Sequence, residues 1–183
     1  MSDEPSPVEP CLIARHKWLS LYAGYYDQPF VTCRQGVVII PMNYAGEILF
    51  IREPANYSGE FLLTLPGGAI DDGEAPAEAA NRELQEEIGF KAEVLFSLGM
   101  LNPVGRFGQW PLYMFFARNL KPSRRVGDEI YQIEIERVPF DEFERLIERG
   151  QLDDAVTIAG LYMARRFIEG KLTFESQIVN RKP

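Results

Sequence analysis

The stretch GGAIDDGEAPAEAANRELQEEIGF, residues 67–90, decides how this chain is read. Two glycines permit backbone angles that other residues avoid, so a loop is expected to follow Pro66-Gly67-Gly68. Pro76 suits a first helical turn, and Ala77, Ala80, Leu84 and Ile88 recur at helical spacing until Gly89 stops the helix. Glu83, Glu86 and Glu87 lie three and four residues apart on that helix, so their carboxylates crowd one side, away from Leu84 and Ile88. Each like-charge pair at this spacing costs roughly 0.2–0.5 kcal/mol, and Arg82, four residues after Glu78 and four before Glu86, offsets only part of it. One explanation is a solvated face that tolerates the cost. The other is a cage of oxygen donors whose repulsion disappears when a divalent cation binds. With no histidine or thiolate in the segment, Mg²⁺ or Mn²⁺ is the natural occupant.

Working outward, strands dominate on both sides. Residues 12–26 and 30–33 carry the aromatic and aliphatic mixture of strands. Residues 36–42 are expected to pair with 47–53 as a hairpin across MNYAG, and 60–65, EFLLTL, form a further strand. Strand-like runs return at 92–101, 112–118 and 130–138. Helices are expected at 140–149 and 154–169. This order suggests a mixed sheet covered by helices, of α/β or α+β class, rather than a regular βαβ series. No internal repeat interrupts it.

At 183 residues the chain suits one fold. Its hydrophobic share of 46% and charged share of 25% are those of an ordinary globular protein. A net charge of -8 leaves no basic footprint for nucleic acid or an anionic membrane, so a small anionic ligand needs locally placed cations. The opening MSDEPSPVEP reads as a loose arm rather than a secretory signal. The longest apolar run, VVIIPM from Val37, is too short to span a bilayer. Two cysteines, Cys11 and Cys33, without a CxxC point to a reduced, cytoplasmic protein and away from a zinc site. The single histidine, His16, has no His/Cys cluster around it and reads as a strand residue rather than a catalyst.

Gly68, five residues, Glu74, seven residues, then Arg82-Glu83-Leu84-Gln85-Glu86-Glu87-Ile88-Gly89-Phe90 matches the Nudix box at all nine specified positions. Seven are fixed residues, so a chance match is on the order of 10⁻⁹ per starting position at average residue usage. The chain therefore resembles the Nudix hydrolases. That resemblance implies an α/β class α/β/α sandwich with a mixed sheet, organised as an N-terminal arm and strands over 1–34, a candidate dimerisation element, and a Nudix domain over 35–183.

The resemblance also implies metal-dependent cleavage of a nucleoside diphosphate linked to another moiety. Glu83 and Glu87 would ligate the metal, with Glu86 as a further ligand or base and the Gly67 carbonyl joining them. Arg82 and Glu74 would hold loop to helix. A carboxylate beyond the box often serves as base in such enzymes, which points to Glu129 in Gly127-Asp128-Glu129, with Asp128 in reserve; glycine-aspartate is also ordinary turn material.

The layout of IRE at 51–53, GDE at 127–129 and a late GQLDDA resembles the branch acting on ADP-ribose, related ADP compounds and nucleotide sugars. Pro103 lies thirteen residues after the box instead of sixteen, the lead-in is Thr64-Leu65-Pro66-Gly67-Gly68 instead of E-x-P-A-G, and an arginine often found beyond Arg52 is absent. Arg52, at a strand end, and Arg106, Phe107 and Trp110, in PVGRFGQWP, are the candidate substrate contacts. Against these stand an exposed strand-end cation and aromatic anchors of the domain's own core. Tyr22, Tyr25 and Tyr26 belong to a dimer surface, a nucleotide pocket or the core, since this branch commonly exchanges N-terminal strands between the subunits of a homodimer. Two further readings stand beside the first: a hydrolase of nucleoside triphosphates or dinucleoside polyphosphates, mildly favoured by the Pro-Gly-Gly lead-in, and a non-catalytic nucleotide-sugar sensor, which would be expected to lose box carboxylates that this chain retains.

Overall fold

The computed structural model describes residues 9–25, 28–55, 57–127 and 131–174. Tyr26, Asp128 and Glu129 lie outside the described residues. A parallel pair stands at the centre, β4 (Gly36–Pro41) beside β10 (Leu112–Pro122), flanked by β7 (Gly67–Ala69) on β4 and β8 (Phe90–Leu101) on β10. A second sheet has the order β11 (Glu134–Pro139), β5 (Glu47–Pro54), β6 (Phe61–Thr64). A third joins β1 (Cys11–Arg15), β2 (Leu19–Ala23) and β3 (Pro29–Cys33), with the two-residue β9 (Gly108–Gln109) parallel to β3.

Side chains that alternate along a strand point to opposite faces. In β4, β5 and β10 both faces are buried, and they feed two different cores. Val37, Ile39, Leu49, Ile51, Phe115 and Ala117 pack with Ala80, Leu84 and Ile88 of the box helix. Ile40, Ile48, Phe50, Met114 and Phe116 pack on the other side with Phe143 of α2 (Phe143–Glu148) and with Leu161 and Ala164 of α3 (Ala155–Ile168). The strands thus lie between two helical layers, as the expected α/β/α sandwich requires. Burial on both faces also explains why Ile48-Leu49-Phe50-Ile51 is a continuous apolar run instead of an alternating one.

The expected hairpin between 36–42 and 47–53 does not form. Only Met42 and Ile48 bridge, and the chain crosses there from the β4 sheet to the β5 sheet. MNYAG resembles a hairpin turn, but β4 pairs with β10 and β7, and β5 with β11 and β6. His16 likewise lies in the turn between β1 and β2 rather than in a strand, where its N–H donates to Leu19 O at 2.8 Å. Gly67-Gly68 opens as the short strand β7, antiparallel to β4, before the loop begins. The late helices stand where expected, and Asp154 caps α3 by accepting from the Thr157 N–H at 2.7 Å.

Candidate active site

Helix α1 (Pro76–Glu83) starts at Ala75, which has no capping oxygen; Glu78 reaches back to its N–H at 3.2 Å. Past Glu83 the helix widens into a π turn over Leu84–Ile88, and the Gly89 N–H donates to Leu84 O five residues back. Gly89 has φ 74°, the left-handed conformation that ends a helix most easily at glycine. Single π turns are frequent at functional sites, and this one carries Glu86 and Glu87. The buried Asn81 fixes the helix laterally, its Oδ1 accepting from the Ala92 N–H of β8 at 2.9 Å.

The carboxylates are not a solvated face. Glu83 and Glu87 are only 6% and 5% exposed. Glu87 Oε2 accepts from the Gly67 N–H at 2.9 Å, which binds the π turn to β7. Glu83 packs its carboxylate against Gly68, where an added Cβ would overlap both of its oxygens. Gly67 is tight for another reason: a Cβ there would strike the backbone of Val37 and Val38 in β4. Gly67 of the Pro-Gly-Gly lead-in therefore has a packing reason of its own.

Arg82 ties these parts together. Its Nε and Nη2 donate to the two oxygens of Glu74 at 2.9 and 3.0 Å, and Nη2 also donates to Ala69 O at 2.8 Å. Nη1 donates to Glu83 Oε1 at 2.7 Å and to Glu86 Oε2 at 3.1 Å. The Arg82 hydrogen bond holds the Glu74 carboxyl below its ordinary value, and Glu74 and Glu83 in turn hold the guanidinium charged. Loop, helix and carboxylates form one hydrogen-bonded unit. Among the described residues no three His, Cys, Asp or Glu side chains are already grouped around a metal position. The donor chemistry nevertheless fits a hard divalent cation: three carboxylates, two of them buried, beside a glycine-lined strand that leaves no room for a side chain.

Three backbone and side-chain bonds hold the exit of β10 to the π turn. Gln85 Nε2 donates to Ser123 Oγ at 2.7 Å, the Ser123 N–H to Gly89 O at 2.9 Å and the Arg125 N–H to Gln85 O at 3.0 Å. This anchors the segment that runs toward Gly127. The sequence pattern offered no signal for Gln85 or Ser123, because their pairing spans 38 positions.

The remaining candidates occupy different surroundings. Arg52 is not an exposed strand-end cation: two residues before the end of β5, its Nε donates to Glu136 of β11 at 2.6 Å. Arg106 and Phe107 form an exposed turn, with the guanidinium 4.9 Å from the ring centre. The Trp110 N–H donates to Asn102 Oδ1 at 2.9 Å, and Asn102 Nδ2 donates to Gly108 O at 3.0 Å, which closes this loop against β3. Neither aromatic is buried in the core. Tyr22 stacks on Phe30 within the N-terminal sheet, at 5.1 Å between ring centres, while Tyr25 is exposed.

Residues 33–161 match the model of the NUDIX domain. The chain is 31% identical over 146 residues to the ADP compounds hydrolase NudE of Escherichia coli (strain K12), across 80% of this chain and 78% of that protein. It is 25% identical over 123 residues to the ADP-ribose pyrophosphatase of Bacillus subtilis (strain 168), across 66% of each. A crystal structure of an ADP compounds hydrolase superposes with a TM-score of 0.74 at 26% identity, covering 92% of this chain and 100% of the other.

Proposed function

Because this chain belongs to the NUDIX family and is a Nudix hydrolase, we propose that it cleaves the pyrophosphate bond of ADP-ribose or another nucleotide sugar, releasing a nucleoside monophosphate and a sugar phosphate. The observation that carries this reading is the single unit made by Gly67, Gly68, Glu74, Arg82, Glu83, Glu86 and Glu87. The relatives named for ADP compounds and ADP-ribose, with alignments spanning most of the chain, support the substrate class.

Glu83, Glu86, Glu87 and the Gly67 carbonyl would hold Mg²⁺, or Mn²⁺ in its place. Such an ion, when bound, neutralises the pyrophosphate and orients the attacking water. The chain's own residues do the rest. Arg82, held by Glu74, keeps Glu83 and Glu86 together against their mutual repulsion. In this reading Glu129, with Asp128 in reserve, takes the proton from the attacking water; residues 123–125, which precede them in the chain, are anchored to the π turn. Arg106 and Phe107 offer a cation and an aromatic face to the substrate, with Trp110 in the same loop, and Arg52 of β5 is a further candidate contact.

A homodimer through the N-terminal sheet belongs to the same proposal. Leu12, Ile13, Trp18, Leu19 and Tyr25 are all exposed on that sheet and its connecting turns, a concentration of apolar surface that a second copy would cover. No helix among the described residues is long and apolar enough to cross a membrane. With two unpaired cysteines, a cytoplasmic location completes the reading.

The test is release of phosphomonoester from ADP-ribose, other nucleotide sugars, dinucleoside polyphosphates and nucleoside triphosphates, with Mg²⁺ and with chelator. Mg²⁺-dependent cleavage led by ADP-ribose or a nucleotide sugar is expected. Inorganic pyrophosphate released fastest from triphosphates would replace that substrate class, and binding without turnover would replace the enzyme with a sensor.

A further inference from the structure

We infer that Arg34 is a positioning residue that sets the metal affinity of the box glutamates through the loop at 69–72; the inference rests on the metal-dependent reading above. Arg34 is 36 residues from its contact in the loop and belongs to no box position. Its Nη2 donates to Ile70 O at 2.8 Å, while the preceding carbonyl, Ala69 O, accepts from Arg82 Nη2 at the same distance. Consecutive carbonyls are thus held by two arginines, one from the end of the N-terminal sheet and one from the box helix.

Asp71 stands between the two guanidiniums. Its Oδ1 is 3.8 Å from Arg34 Nη2 and its Oδ2 is 4.0 Å from Arg82 Nε. The Asp71 N–H donates to Glu74 Oε2, which also accepts from Arg82. A short chain of contacts therefore runs from Arg34 through Asp71 and Glu74 to Arg82, and from there to Glu83 and Glu86. The backbone reinforces it, since the Ile70 N–H donates to Gln35 O at 2.9 Å and Gly36 pairs with Ala69.

Arg34 is itself placed by the N-terminal sheet. Its N–H donates to Trp18 O at 3.2 Å and its guanidinium lies 5.7 Å from the Trp18 ring centre. Asp71 and Asp72 are exposed, so their pairing with Arg34 adds little to stability. The consequence is geometric: loss of Arg34 releases the loop that aligns Arg82, and with it the carboxylates. One nitrogen, Nη2, makes the contacts to Ile70 O, Asp71 and Asp72, and a lysine preserves the charge but ends one bond short of that position.

The experiment is direct Mn²⁺ titration of the substrate-free full chain, read by electron paramagnetic resonance, for wild type, Arg34→Ala and Arg34→Lys, with thermal melts of each. Groups that orient metal ligands typically change affinity by about 10–100-fold. Arg34→Ala is expected to weaken Mn²⁺ about tenfold with a melting temperature within about 4 °C of wild type, and Arg34→Lys to fall between them. Wild-type Mn²⁺ affinity in a folded Arg34→Ala overturns the inference. Should Arg34→Ala not fold, Arg34→Lys decides: roughly threefold weaker Mn²⁺ supports the role, and unchanged affinity overturns it. A wild-type chain that takes up no Mn²⁺ overturns the metal reading first and this inference with it, which separates the two failures.

Discussion

Gly68→Ala is expected to spare the fold and disable the site. The atoms that a Cβ at 68 would meet are the carboxyl carbon and both oxygens of Glu83, the far end of a flexible side chain. Relief requires the carboxylate to withdraw by roughly 1 Å, which breaks its 2.7 Å bond from Arg82. A hydrogen bond to a charged group contributes about 1.5–3 kcal/mol, and replacing glycine by alanine at an unstrained position returns about 0.4–1 kcal/mol through the unfolded chain. The net cost is then about 0.5–2.6 kcal/mol, a fall of roughly 1–10 °C in melting temperature for a chain of this size. Displacing a reacting-centre group by about 1 Å lowers turnover on the order of 10²-fold. Gly67→Ala is the internal comparison. Its Cβ would meet the Val37 carbonyl and Val38 Cα, which are backbone atoms of a buried strand, so the loss there is in stability. Phosphomonoester release at saturating Mg²⁺, with thermal melts of both variants, tests the pair. Wild-type kcat in Gly68→Ala would refute the reasoning, because turnover would then be independent of where Glu83 points.

Glu87→Gln retains an oxygen able to accept from the Gly67 N–H, so it should melt near wild type yet lose most metal-dependent activity; full activity would remove Glu87 from the metal set. Glu129→Gln should lower kcat by roughly 10²–10⁴-fold, the range of a general base, with little change in Mn²⁺ affinity. Equal rates in mutant and parent would move the base role to Asp128 or Glu86. The Glu74–Arg82 pair predicts a pH-dependent stability. Because Arg82 lowers the folded Glu74 carboxyl from its ordinary 4.5, its stabilisation is present above that pH and is lost as pH falls through the lowered value. The melting-temperature gap between wild type and Glu74→Gln should therefore be full at neutral pH and close in acid; a gap of constant size from neutral to acid pH would contradict it.

The local arithmetic of residues 67–90 determined a great deal. Helical periodicity placed Ala77, Ala80, Leu84 and Ile88 in the core, where they lie, and Gly89 at the helix end, where its positive φ confirms it. The spacing of Gly68, Glu74, Arg82 and the glutamates identified the family, because nine positions over 23 residues are a covalent property that needs no tertiary information. The late helices were legible for the same local reason. Tertiary structure decided the partners. Residues 36–42 and 47–53 read as a hairpin because the turn-like MNYAG joins them, yet β4 pairs with β10 and β7 while β5 pairs with β11 and β6. The π turn is a matter of backbone hydrogen bonding, such as Gly89 N–H to Leu84 O, which no side-chain pattern encodes. Arg52 could be seen as a cation, but its pairing with Glu136 depends on sheet register across 84 positions. Periodicity reports which face of an element turns inward. Contacts such as Arg34 to Ile70 and Gln85 to Ser123 exist only after those faces have packed, since the energy that selects them comes from atoms brought together by the fold.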